Sequence, residues 1–169
     1  LHVYLKDFIQ PYPWADFDLL AVAKGPGGFT GTRIGVVMAR TLAQQLEIPL
    51  YGVSSLAAIA QQHWLDGKDP GAAMTLAVEM PAQRGEVFGG IYQVSVAGLT
   101  VALADQVSLQ AEWRQQLAEW PEPLELLHGI GGLAASVEGV LALALKGWEK
   151  GDRPDWETVL PFYGQHPVR

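Results

Sequence analysis

The 169-residue chain contains no cysteine, which excludes disulfide staples and thiolate-bound metals and is compatible with a reducing cytoplasm, the expected compartment. Basic residues are scarce: 11 Lys and Arg stand against 18 Asp and Glu, a net charge of −7. That balance argues against a large basic face able to clamp nucleic acid alone. No apolar run is long enough to span a bilayer. Leu1-His2-Val3 lacks the charged region and cleavage site of a secretory signal. The first residue is not methionine, so missing upstream residues or a fragment are expected. His2, His63, His128 and His166 show no metal-binding spacing such as His-Glu-x-x-His. No Gly-x-Ser-x-Gly elbow is present either. The six tryptophans of so acidic a chain read as core or interface anchors rather than a base-stacking platform.

What is present is enough apolar residue, 49% by count, for a real core in one or two compact units. The most informative stretch is Gly25-Pro26-Gly27-Gly28-Phe29-Thr30-Gly31-Thr32-Arg33-Ile34-Gly35. It follows an apolar run, Leu19 to Ala23, and opens into a helical pattern. Strand, glycine-rich turn and helix start are the parts of an anion-binding loop. The spacing defeats the common nucleotide motifs. No lysine follows Gly31, as a Walker loop requires, and Thr30 and Arg33 occupy positions where a dinucleotide fingerprint needs glycine. The stretch reads as a structural turn launching a helix.

Asp18 to Ala23 is expected to be a buried strand, Thr32 to Leu46 a helix stopped by Ile48-Pro49, and Leu50 to Val53 a parallel strand. Ser54 or Ser55 can cap a helix from Leu56 to Trp64. Asp66 to Gly71 is turn-rich and the best boundary between a partial first lobe (1–70) and a second lobe (71–150). In the second lobe, strands are expected at Met74–Glu79, Val87–Val96, Leu99–Val107 and Leu124–His128, with a hairpin turn at Ala97-Gly98. Ser108 is a candidate cap for a helix from Ala111 to Trp120, and a last helix covers Leu133 to Trp148. The tail, 151–169, is expected to drape over the surface. Glu79 and Glu86 read as ordinary strand-end carboxylates, Arg84-Gly85-Glu86 as a turn, and His128-Gly129-Ile130-Gly131-Gly132 as a tight strand-to-helix turn.

The helix after the loop is apolar over far more than one face. Ile34, Met38, Leu42 and Leu46 form one stripe flanked by Val37; Gly35, Ala39 and Ala43 form a second, small-residue stripe. A helix of this kind is covered on two sides. One cover is its own sheet; the other is either a neighbouring helix or a partner protein. The candidate partner residues are Arg33, Ile34, Val37, Met38 and Thr41.

The loop, together with Leu50-Tyr51-Gly52-Val53-Ser54-Ser55-Leu56, Arg84-Gly85-Glu86-Val87-Phe88 and Leu160-Pro161-Phe162-Tyr163, closely resembles the TsaB (YeaZ) family. The resemblance implies an α/β, actin-like ATPase (ASKHA, ribonuclease H-like) two-lobe fold, here with the first lobe incomplete. It implies a subunit with no catalytic residues, no metal and no cofactor. Such a subunit pairs with a TsaD-type transferase that installs threonylcarbamoyladenosine beside the tRNA anticodon. A TsaE-type ATPase completes the complex, tRNA is engaged indirectly, no membrane is involved, and a homodimer through the same helix is a further option. The peptidase M22 label of the superfamily has no support in these residues. A nucleotide-dependent phosphotransferase of the actin-like superfamily is the alternative.

Three departures from the family pattern stand out. Gly28 replaces the usual serine, and Pro81-Ala82-Gln83 replaces the usual Asp-Ala-Arg. The family also opens with an Ile-Asp-Thr-type strand, two more strands and an interface helix, near whose end Leu1 to Ile9 begins. The Asp18 to Ala23 strand is therefore expected to present an unpaired edge.

Overall fold

The short apolar run after Asp18 forms strand β1 (Leu20–Ala23), and Leu50–Val53 forms β2. They pair in parallel from Leu20 opposite Leu50 to Ala23 opposite Val53. Between them runs helix α2 (Phe29–Leu46), preceded by α1 (His2–Phe8). The computed structural model describes residues 2–67, 71–130 and 133–164. Leu1, residues 68–70 of the Asp66 to Gly71 break, Gly131, Gly132 and His166 lie outside the described residues.

Helix α2 begins three residues before the expected Thr32, because Gly28 is the last extended residue and acts as the cap position. Its end matches expectation: Glu47 turns left-handed (φ 55°) and its N–H bonds the Ala43 carbonyl, just ahead of Ile48-Pro49. Val36 and Ala43 are fully buried against β1, β2 and Val159. Each such aliphatic side chain contributes roughly 1.5–3 kcal/mol for valine or leucine.

Helix α3 (Ser55–Asp66) is capped by Ser54, whose hydroxyl accepts the N–H groups of Leu56 and Ala57 at 3.1 Å each. It leads to the second sheet, built from β3 (Met74–Pro81), β4 (Glu86–Ser95), β5 (Gly98–Leu109) and β6 (Glu125–His128). The order is β5-β4-β3-β6, with β6 parallel to β3 and the other pairs antiparallel. One face packs Leu76, Val78, Tyr92 and Val94 against Leu56 and Ala60 of α3. The other face packs Ala77, Val87 and Ile91 against Trp113 of α4 (Gln110–Ala118).

Ser108 does not cap α4. It stays in β5, opposite Val87, with its hydroxyl buried and without a partner among the described residues. The helix start is satisfied instead by Glu112, whose carboxylate accepts the Leu109 N–H at 3.3 Å. The strand runs on because Val107 and Leu109 continue its pairing to the first residue of β4.

Helix α5 (Val137–Glu149) returns to the first sheet, packing on α3, β1 and β2. A Cβ at Gly139 would lie 2.2 Å from the Ala58 carbonyl, so glycine sets how closely α5 approaches α3. The tail does more than drape. Its Pro154 carbonyl accepts the Leu50 N–H at 3.2 Å, and Val159 is buried among Val36, Ala43 and Leu50. Residues 151–164 are thus a structural part of the first unit. A single apolar side chain among prolines and acids gave no periodic signal for that. β1 pairs with β2 alone among the described residues, so its other edge is open as expected.

Candidate functional site

The glycine-rich loop is shaped by what it touches. Gly25 has φ +104°, and a Cβ there would lie 2.6 Å from the Phe162 carbonyl oxygen, so both backbone and space demand glycine. The Phe162 N–H donates to the Lys24 carbonyl at 2.7 Å, and the Ser55 N–H to that of Gly25 at 2.8 Å. Pro26 is fully buried. Gly25 to Gly28 is the turn proper. Phe29, Thr30 and Gly31 belong to α2 rather than to the turn, a correction to the expected start at Thr32, while Arg33 and Gly35 lie in the helix as expected. Packing of α2 on its sheet outweighs the low helix propensity of two glycines, about 1 kcal/mol each.

Between this turn and the second sheet is a cleft of about 410 Å³, bordered by Gly27, Phe29 and Thr32 on one side and Met80 to Gln83 on the other. The tail closes it, with Tyr163 stacked on Phe29 at a centroid distance of 5.0 Å. No charged side chain lines the cleft among the described residues. A nucleotide's phosphates would find neither a cation nor a carboxylate to hold a metal. No group of three or more His, Asp or Glu poised for a metal occurs among the described residues.

The outward face of α2 is different in kind. Arg33, Ile34, Val37, Met38 and Thr41, the five partner candidates, line one apolar groove of about 510 Å³ together with Leu42. Ile34 and Val37 are 49% and 54% exposed. The principal contacts of α2 are with β1, β2 and the tail's turn at Trp156–Thr158, all away from this groove. The Thr41 hydroxyl donates to the Val37 carbonyl at 3.0 Å, so its polar atom is satisfied within the helix. Gly31 and Gly35 have open space where a Cβ would stand. The small-residue stripe divides: Ala43 is fully buried with Ala39 packed beside the same core, while Gly35 has open space beside it.

Two polar clusters were not legible as such. Ser54, besides capping α3, donates to Asp105 of β5 at 2.6 Å, and the Tyr92 hydroxyl donates to the same carboxylate. Burial, and then the Asp105 charge, hold the Tyr92 hydroxyl far above the ordinary tyrosine range, opposed by its contact with Ser54. It therefore remains a donor across the physiological range, and the trio fastens the end of β2 to the second sheet. Replacing Ser54 by alanine should lower unfolding free energy by about 1–2 kcal/mol, for the lost cap and the lost Asp105 bond. A urea titration with an unchanged midpoint would contradict that role.

The second cluster centres on Glu79, which is buried rather than an ordinary strand-end carboxylate. Its Oε1 accepts from Arg114 at 2.9 Å and stands 2.9 Å from His128 Nδ1, and its Oε2 accepts from Trp113 Nε1 at 2.7 Å. Strand alternation was the available signal, since Glu79 shares parity with the buried Ala77. No helix of the described residues is long and apolar enough to cross a membrane.

A family model described as "TsaD: tRNA N6-adenosine threonylcarbamoyltransferase" matches residues 12–125. The tRNA threonylcarbamoyladenosine biosynthesis protein TsaB of Bacillus subtilis (strain 168) is 38% identical over 113 residues, covering 66% of this chain and 46% of that protein. The tRNA N6-adenosine threonylcarbamoyltransferase of Methanopyrus kandleri is 33% identical over 153 residues, covering 82% of this chain and 44% of that protein. Among solved structures, YeaZ from Pseudomonas aeruginosa superimposes with a TM-score of 0.74 at 25% identity, over 96% of this chain and 83% of that one. The chain spans less than half the length of these two curated relatives.

Proposed function

The chain belongs to the TsaB (YeaZ) family of TsaD-related proteins, and from that premise we propose that it is a non-catalytic partner subunit. In this reading it supports threonylcarbamoyl transfer to the adenosine next to the tRNA anticodon by forming a heterodimer with a TsaD-type transferase. Its fold is the actin-like α/β fold. The observation that carries the proposal is the α2 groove: a continuous apolar surface on a protein of net charge −7, left uncovered among the described residues. Burying Ile34, Val37 and Met38 against a partner supplies a dry centre, and Arg33 supplies a rim charge. A TsaE-type ATPase would join the larger complex, and tRNA would be engaged through the transferase. The division proposed along the chain is a partial first lobe over 1–70, a second lobe over 71–150 and the tail over 151–169, with α5 and residues 151–164 packed back on the first sheet.

The test is co-elution of the purified chain with a TsaD-type transferase on size exclusion, with no ATP or peptide turnover by the chain alone. Separate elution of the two proteins at micromolar concentration would sink the reading. A homodimer through the same groove predicts a concentration-dependent mass by light scattering and is distinguished that way.

A further inference from the structure

Glu79 stands at the carboxyl end of β3, directly opposite His128 at the carboxyl end of the parallel strand β6. In open α/β sheets that end of a parallel pair is where ligands are received. Here it opens on a cavity of about 430 Å³, lined by Glu79, Glu86, Gln110, Arg114 and His128 among others. The Glu79 side chain is 8% exposed, whereas those of Arg114 and His128 are 43% and 51% exposed. A buried carboxylate is a poor way to gain stability, since an apolar residue of similar volume does as well or better. Its effect here is to orient two half-exposed nitrogen groups toward one cavity, the arrangement by which supporting carboxylates fix the tautomer of a working histidine.

The chemistry left over is specific. His128 Nδ1 stands 2.9 Å from Glu79 Oε1, and in the tautomer that places the proton on Nδ1 the lone pair is on Nε2, for which no partner occurs among the described residues. Arg114 bonds Glu79 through Nη2 alone, leaving other guanidinium N–H donors. The pair thus offers an acceptor beside a cation. We propose that Arg114 and His128, aligned by Glu79, form a binding site for a phosphate monoester: the ligand's P–OH donates to His128 Nε2 and its anionic oxygens accept from Arg114. The second ionisation of a phosphate monoester lies at about 6, so near neutrality a share of it carries that hydroxyl. A diester has no such proton, and sulfate has none at neutral pH. The site is independent of the α2 groove and does not rest on the partner reading.

The test uses the full chain labelled with nitrogen-15, at constant ionic strength near neutral pH. Inorganic phosphate, sulfate and dimethyl phosphate are titrated while the His128 ring nitrogens are followed by NMR. Phosphate should move the Nε2 resonance saturably, with sulfate and dimethyl phosphate at least tenfold weaker. Arg114→Gln, a change at a half-exposed position, should weaken phosphate binding at least tenfold with the rest of the spectrum preserved. His128→Gln, followed instead through the backbone amides of Glu79, Arg114 and the substituted position itself, should abolish the preference for phosphate over sulfate. No saturable response to phosphate overturns the proposal. Equal binding of sulfate would reduce the site to general anion attraction, and equal binding of dimethyl phosphate would make it a contact for a diester backbone; either result overturns the monoester assignment.

Discussion

Replacing Val37 by glutamate should weaken association with a TsaD-type transferase by about a hundredfold or more, at least ~2.7 kcal/mol, while leaving the fold intact. The size of the effect follows from where the charge is placed. Val37 lies in the middle of the α2 groove, flanked by Ile34, Met38 and Thr41, so a docked partner would strip water from the new carboxylate without offering it a mate. The free protein bears no comparable penalty, because Val37 is 54% exposed and its carbonyl, which accepts the Thr41 hydroxyl, is unaffected. Thermal midpoints of variant and parent should agree within a few degrees. Val36→Glu is the contrasting control: that neighbour is completely buried, and its replacement should prevent folding. Undiminished binding by the Val37 variant, measured by calorimetry, would move the interface off this helix face.

The second large effect is on stability. Trp113→Ala should lower unfolding free energy by about 3–5 kcal/mol, the range for emptying a buried aromatic site. The ring is fully buried and fills the space beside Gly89, where a Cβ would come within 2.9 Å of it. Its indole N–H is also one of the donors satisfying the buried Glu79 carboxylate. Trp113→Phe separates the two contributions: it keeps most of the volume and removes that donor, so about 1–3 kcal/mol should be lost. Against a typical total of about 5–15 kcal/mol, the alanine variant should be near the edge of folding at 37 °C. Urea denaturation reads both values. Equal losses for alanine and phenylalanine would show that the hydrogen bond, not the packing, dominates.

Local chemistry was readable from the chain, and remote pairing was not. The Gly-Pro-Gly break, the Ser54 cap and the Pro49 stop all act within a few residues of themselves, so α2, β2 and the start of α3 were readable from composition and spacing. The candidate groove was readable for the same reason, since a single helix carries all of it. The Glu79 cluster draws its partners from residues 34 and 35 positions later, on α4, and from β6 beyond. Nothing near Glu79 announces them. Ser108 misled because a serine ahead of a helical stretch has the form of a cap, yet pairing between β4 and β5 continued past it. The tail misled for the opposite reason: its one fully inserted side chain, Val159, enters a core assembled from residues more than a hundred positions earlier.

That insertion bears on how the protein is made. Val36, Ala43 and Leu50 leave the ribosome more than a hundred residues ahead of Val159, the side chain that closes their core. The first sheet is therefore sealed only after the second has been made, and the nascent chain carries an unsealed apolar patch for that interval. A chain stalled or cut before Val159 should retain the second sheet while leaving the first open to chaperones and proteases.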